Sequence, residues 1–236
     1  FGTNWLAEAE HGGYYQAVAD GTYAKYGLDV EIVQGGPQAA NGILLVSGKL
    51  DFYMGSSLIE AFDAAKQKAP MVVVAAHMQK DPQMVMSHPG VGLDKFTDLV
   101  NSPAYIAKGA PFYEWMVSAY GFKEENVKPY TFNPQPFIAD KKSIQQGYVT
   151  SEPYAIEKVG KFKPNIFLFA DLGFSSYATT VETRPDLVAK KPDLVQRFVD
   201  ASIEGWYNYL YGDNKAANDL IKKDNPEITD GQIAFS

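Results

Sequence analysis

Apolar and polar positions follow two periods in the first third of the chain. From Gly12 to Tyr26, Tyr15, Val18, Ala19 and Tyr23 recur at helical spacing, and Gly27 follows where a left-handed cap belongs, which predicts one helix with a stop. Leu28-Asp29-Val30-Glu31-Ile32-Val33 alternates with period two, the pattern of a strand. Gly35-Gly36-Pro37 reads as a turn, Gln38 to Ser47 as a short amphipathic helix ending at Gly48, and Leu50 to Met54 as a second strand. Gly55-Ser56-Ser57 offers a turn and a hydroxyl cap for a helix through about Lys66, and the run Met71 to Ala76 is expected as a buried strand. This βαβα order predicts an α/β fold with a parallel sheet, whose ligands collect at the carboxyl ends of the strands.

A second α/β unit is predicted from about Pro89 to Phe174. Its strands are expected near Ala104–Ala107, Val127–Tyr130, Tyr148–Thr150 and Ile166–Phe169, with helices near Phe112–Tyr120, Phe137–Gln146 and Pro153–Val159. Tyr177 to Glu182 reads as one more strand. Pro185–Ala189, capped by Thr183, and a helix from Pro192 carrying Leu194, Phe198, Trp206 and Leu210 on one stripe complete the pattern. The expected division is a discontinuous first lobe, 1–87 with 176–236, and a second lobe, 88–175. Gln83–Ser87 and Tyr177–Glu182 are expected to form a two-strand hinge.

Composition narrows the function classes. The 21 Lys and Arg against 28 Asp and Glu give a formal charge of −7, which argues against a nucleic-acid backbone or an anionic membrane as partner. With no cysteine, disulfides, thiolate nucleophiles and iron–sulfur ligation are excluded together. His11, His77 and His88 are scattered without metal-ligand spacing, and no Gly-x-Ser-x-Gly elbow occurs. The expectation is therefore a binding protein with no catalytic residue, no metal and no organic cofactor. The chain opens on Phe1-Gly2-Thr3-Asn4, and removal of a signal peptide is expected.

Candidate binding residues cluster at the predicted strand ends. Asn4 to Tyr15 brings Trp5, Glu8, His11 and Tyr15 between a first strand and a first helix. Gly36, Gly55 and Ser56 lie in the next two loops, where backbone N–H groups and hydroxyls can meet a polar edge. In the second unit Tyr130 and Asn133 end one strand, while Glu152 and Tyr154 stand at a helix start whose dipole favours a carboxylate. Tyr177 joins them at the return crossing. Aromatic residues are 14% of the chain, and this many near loops point to a flat ligand held by stacking.

Trp5, Glu8, His11, Gly12 and Tyr15, then Tyr26-Gly27-Leu28-Asp29-Val30, Gly48-Lys49-Leu50-Asp51-Phe52 and Ser151-Glu152-Pro153-Tyr154 together resemble a known group. It comprises the periplasmic substrate-binding proteins of ABC transporters that bind nitrate, sulfonates and thiamine-pyrimidine precursors. The resemblance implies a type II periplasmic binding protein of two α/β lobes that closes on its ligand as a flytrap. It also implies a periplasmic location, a monomer, and a transporter permease and ATPase as partners. In the pyrimidine-binding branch, aromatic side chains sandwich the ring and a carboxylate grips its amino edge. By motif match those residues are Trp5 and Glu152. The same group contains the yeast-type pyrimidine synthase of thiamine biosynthesis, marked by a cysteine-rich motif and a Lys and His after the Gly-Lys-x-Asp strand; Tyr53 to Glu60 has neither. The same residues would also suit a binder of flavin, nitrate or sulfonate, or a periplasmic sensor. Lys108-Gly109-Ala110-Pro111-Phe112 is shorter than the glycine-serine loop of several relatives.

Overall fold

A computed structural model describes residues 1–107 and 109–236; Lys108, the first residue of the segment Lys108 to Phe112 noted above, lies outside them. In chain order the first elements are α1 (Gly12–Ala19), α2 (Thr22–Lys25), α3 (Asn41–Val46), β1 (Phe52–Ser57), α4 (Leu58–Lys66), β2 (Val72–Met78) and β3 (Gln83–Ser87). Next come β4 (Ala104–Ile106), α5 (Pro111–Tyr120), β5 (Val127–Pro129), α6 (Gln135–Ala139), β6 (Ile144–Tyr148), α7 (Glu152–Gly160) and β7 (Asn165–Leu168). The chain ends through β8 (Ala178–Thr183), α8 (Pro185–Lys190), α9 (Pro192–Tyr211), α10 (Lys215–Asp224) and α11 (Asp230–Phe235). Compactness divides it into Phe1–Gln79 with Tyr177–Ala234, and Lys80–Ser176 with Phe235–Ser236.

In the first unit, the sheet has the order β1-β8-β2, and β8 runs antiparallel to both neighbours. The expected parallel sheet is thus corrected: β1 and β2 share a direction, but the strand that returns late in the chain is inserted between them. Leu28–Val33 does not form a strand; it contributes one parallel bridge, Val33 to Gly2, and Gly2 also bridges Tyr53. The expected helix from Gly12 to Tyr26 is two, because Gly21 at φ 78° breaks α1 from α2. β1 extends through the predicted turn, since Gly55 pairs with Thr180 and Ser57 with Ala178. Ser57 still caps α4, its Oγ accepting the Glu60 N–H at 3.3 Å. β2 is half-buried along its whole length, not buried, as befits the edge of a three-stranded sheet. Thr183 does not cap α8; its hydroxyl donates to Asp51 O at 2.7 Å.

The core of this unit forms where α9 lies along α1. Phe198 stacks on Phe52 at 3.9 Å and on Tyr23 at 5.5 Å, with Phe1, Tyr14, Met54 and Val181 around them. Leu210, expected on the buried stripe, is 61% exposed; Tyr209 turns inward instead.

The second unit holds a five-stranded sheet, β5-β4-β6-β3-β7. β4 is parallel to β5 and β6, whereas β3 is antiparallel to β6 and β7. Gln83–Ser87 is therefore an interior strand of this sheet, and residues 80–87 and Ser176 belong here, not to the first lobe as expected. The chain passes between units at Gln79/Lys80, at Ser176/Tyr177 and again at Ala234/Phe235. Tyr177–Glu182 likewise is not a bare crossing, because β8 is the middle strand of the first sheet. The expected helix Phe137–Gln146 stops at Ala139: Asp140 turns the chain by accepting the Lys142 N–H at 3.0 Å, and Ile144 begins β6. Of Tyr148–Thr150, expected as a strand, only Tyr148 belongs to β6; Val149 and Thr150 turn the chain toward α7. Met84, Met86, Phe137 and Ile156 pack beneath.

Candidate functional site

In the first unit the loop from Asn4 to Ala7 joins the Gly2 bridge to α1. Its backbone is tied down by neighbours far away in sequence. Gly35 N–H donates to Trp5 O at 3.1 Å and Thr3 Oγ1 at 2.9 Å, and Ala7 N–H donates to Gln34 Oε1 at 2.6 Å. Asn41 Nδ2 donates to Thr3 O at 2.9 Å and to Val33 O at 3.0 Å. A Cβ on Gly35 would meet Thr3 O at 2.4 Å, so glycine is what permits the approach. The loop is rigid enough to aim side chains.

Asn4 is held there at both ends of its amide. Its Oδ1 can only accept, so His11 Nε2, 3.3 Å away, carries the ring proton and donates; Asn4 Nδ2 donates in turn to Ser56 Oγ at 3.2 Å. His11 is fully buried, and desolvation foremost, with the nearby His77 second, holds it down to about 3. It is a neutral hydrogen-bond donor. His77, held down to about 4 by burial, stacks on Trp206 at 4.6 Å and meets the Tyr14 hydroxyl at 3.2 Å.

The remaining expected residues of this unit divide. Trp5 and Glu8 are half-buried on the loop, and Gly36 follows it at φ 137°. Tyr15 is core: 2% exposed, it packs with Tyr209 and Ile221, and its hydroxyl donates to Asp224 at 2.8 Å. Gly55 is not in a loop but within β1, where a Cβ would strike Glu182 Oε1 at 2.2 Å. Tyr177 is 46% exposed and its carbonyl accepts the Leu58 N–H.

In the second unit two of the expected residues, Tyr130 and Glu152, meet at one carboxylate. Glu152 opens α7 and its Oε2 accepts the Tyr148 N–H at 2.7 Å. Gly147 leaves room for it, since a Cβ there would lie 2.7 Å from the Glu152 Cβ. Tyr130, buried just after β5, is hydrogen-bonded to the same carboxylate, and its hydroxyl accepts from Gln145 Nε2 at 3.3 Å. A carboxylate can only accept, so the phenol proton points at Glu152. Burial, then the Glu152 charge, pushes the Tyr130 hydroxyl upward, so it remains a donor. Two donors therefore converge on a carboxylate seated at a helix N-terminus, an arrangement that favours and orients its charge.

Asn133 and Tyr154 serve neighbouring structure. Asn133 Oδ1 accepts the Gln135 N–H at 3.0 Å ahead of α6, and Tyr154 packs on Phe235 at 5.6 Å with Lys158 Nζ 5.0 Å from its ring. Sequence reasoning passes over Gln145, which reads as an ordinary strand polar residue, and over Asn4, although Asn4 lies in a segment it marks. Among the described residues no group of three or more His, Asp and Glu could hold a metal ion, and no helix is long and apolar enough to cross a membrane.

Comparison with known proteins gives a consistent picture. The model of the family described as NMT1/THI5 like matches residues 8–217. The riboflavin-binding protein RibY of Chloroflexus aurantiacus is 25% identical over 98% of this chain and 68% of its own. Among solved structures, the periplasmic aliphatic sulphonate binding protein of Escherichia coli superposes with a TM-score of 0.62 at 13% identity, over 99% of this chain and 83% of that one. The periplasmic nitrate-binding protein of Synechocystis gives 0.58 at 18% identity, over 86% and 60% of the two chains. The fold is that of the periplasmic binding proteins.

Proposed function

The chain belongs to the NMT1/THI5-like family, and from that premise we propose that it is the solute-binding receptor of an ABC importer, capturing a small planar heterocycle through a donor-bearing edge. It makes and breaks no bond in this reading. It works as a monomer outside the cytoplasm, in the periplasm, and delivers its ligand to a permease driven by an ATPase subunit. The sulfonate- and nitrate-binding proteins that share its fold, and RibY, support the receptor role.

The observation that carries the ligand class is the Glu152 carboxylate. Held by the Tyr148 N–H and the Tyr130 hydroxyl, it is an acceptor fixed in place. Such a group accepts from the exocyclic amino N–H of an aminopyrimidine, as in a thiamine pyrimidine precursor, or from the single imide N–H of a flavin, and it repels an oxyanion. The likeness to RibY favours the flavin as a second occupant of the same class. Trp5 is the stacking residue of the first unit in this reading.

Glu152→Gln tests the assignment. It preserves size and keeps one oxygen for Tyr148, but turns an amide donor toward ligand donors. Titration calorimetry with a 4-aminopyrimidine and with riboflavin should show a loss of about 2 kcal/mol, roughly thirtyfold, while the unliganded melting temperature stays close to that of the parent. Unaltered affinity for a probe that the parent binds would remove Glu152 from the site.

A further inference from the structure

Ala7 ends the loop that carries Trp5, and the far end of α10 holds it. It is fully buried, in one cluster with Tyr15, Ile221 and Ile228. Side chains take both of its backbone polar groups: Gln34 Oε1 accepts the N–H at 2.6 Å, and Asn225 Nδ2, 218 positions later in the chain, donates to the carbonyl at 2.8 Å. Gln34 turns its other end to the same corner, where its Nε2 donates to Asp224 O at 3.1 Å.

The corner is built to present these groups. Asn225 is the C-cap of α10, and at φ −125° and ψ 86° it has left the helical region, as the following Pro226 requires. Its Oδ1 accepts the Glu227 N–H at 3.3 Å, which fixes the amide and leaves Nδ2 to Ala7. Asp224 Oδ2 accepts the Tyr15 hydroxyl at 2.8 Å, so Tyr15, expected at the ligand, braces the corner from α1 instead. The consequence for the loop follows from peptide planarity. Trp5 O, held by the Gly35 N–H and Thr3 Oγ1, fixes the plane after Trp5; the Ala7 N–H fixes the next plane and the Ala7 carbonyl the one after that. Three consecutive planes are pinned, and two of them by Gln34 and Asn225.

We propose that Gln34 and Asn225 are positioning residues for ligand capture: by pinning Ala7 they set the Trp5 ring at the angle at which it stacks, without themselves touching the ligand. The inference rests on the reading of Trp5 as the stacking residue of the first unit and deepens it. A ring set in advance loses little freedom on binding, whereas a ring on a loose loop has to be ordered by the ligand itself. The corner of α10 thereby acts on affinity from outside the site.

A double-mutant cycle distinguishes positioning from support of the fold alone. Asn225→Ala removes the donor to the Ala7 carbonyl, and Gln34→Leu removes both bonds of the other amide. Well below the melting transition, each should weaken binding of riboflavin or a 4-aminopyrimidine about tenfold. In a Trp5→Ala background, itself weaker than the parent, neither should weaken it further, because the ring they position is gone. Should either variant melt too low for titration, Tyr15→Phe, which removes only the hydroxyl on Asp224, carries the same cycle with a loss of about threefold. Parental affinity in the clamp variants, or an equal loss with and without Trp5, would overturn the proposal. If the parent takes up neither probe, or Trp5→Ala binds as tightly as the parent, the heterocycle reading or the Trp5 assignment fails and the clamp falls with it. If Trp5→Ala weakens binding and the clamp variants do not, only the clamp is misassigned.

Discussion

An imidazole is inexpensive to bury while neutral and costly once protonated, which gives His11 and His77 a shared effect on stability. The unfolded chain takes up protons on both near pH 6.5, but the folded state resists until about 3 at His11 and about 4 at His77. Unfolding is therefore coupled to proton uptake, and their contribution, complete above pH 6.5, is lost as the pH falls toward those values. Glu182 works in the opposite direction. Buried in β8 and bonded by Thr180 Oγ1 at 2.8 Å, it is pushed up from 4.5 to about 7, first by burial and further by Glu60, against the Thr180 hydrogen bond. Its stabilising proton is present below pH 4.5 and lost as the pH rises through 7. These groups together place a stability maximum near pH 6.5. Glu182→Gln should melt higher than the parent at pH 8, by a free energy on the order of 3 kcal/mol at most, and equal to it near pH 4. Melting curves from pH 4 to 8 check this, and an equal shift at both ends would mean that Glu182 is ionised throughout.

Between elements, the closest packing is α9 against α1. A Cβ on Gly205 would lie 2.3 Å from Gly13 O and 2.7 Å from the Ala17 Cβ, both on the facing helix. A Cβ on Gly13 would in turn meet the Trp206 ring at 2.3 Å. Gly205→Ala would normally favour a helix interior, but here it should destabilise by about 1–3 kcal/mol, because the backbone has to retreat. A melting temperature at or above the parent's would show that the helices have slack.

Such contacts also mark the limit of what a sequence reveals. Periodicity and caps locate α4, α5 and α7 nearly to the residue, since helix signals are local. The strand pairing is not accessible in the same way. Gly55-Ser56-Ser57 has turn composition, yet β8, more than a hundred residues later, draws it into a strand. The polar network around Glu152 is half visible: its carboxylate at a helix start is a local signal, whereas Gln145 and Tyr130 meet it only through the sheet.

For the molecule as a whole, order along the chain predicts two α/β units with only the first discontinuous, whereas compactness also groups Phe235–Ser236 with the second. Chain order finds β3 with its bounds but gives it to the first unit, because an antiparallel strand carries no mark of which sheet will accept it. The family and fold fit a receptor, and in the proposed reading its specificity turns on a planar heterocycle read at a donor edge by Glu152. Native mass spectrometry of protein purified without refolding bears on this without intermediaries, by weighing what the protein retains. We predict one bound heterocycle per chain, displaced in Glu152→Gln. A retained sulfonate or other oxyanion, undisturbed by that substitution, would refute the assignment.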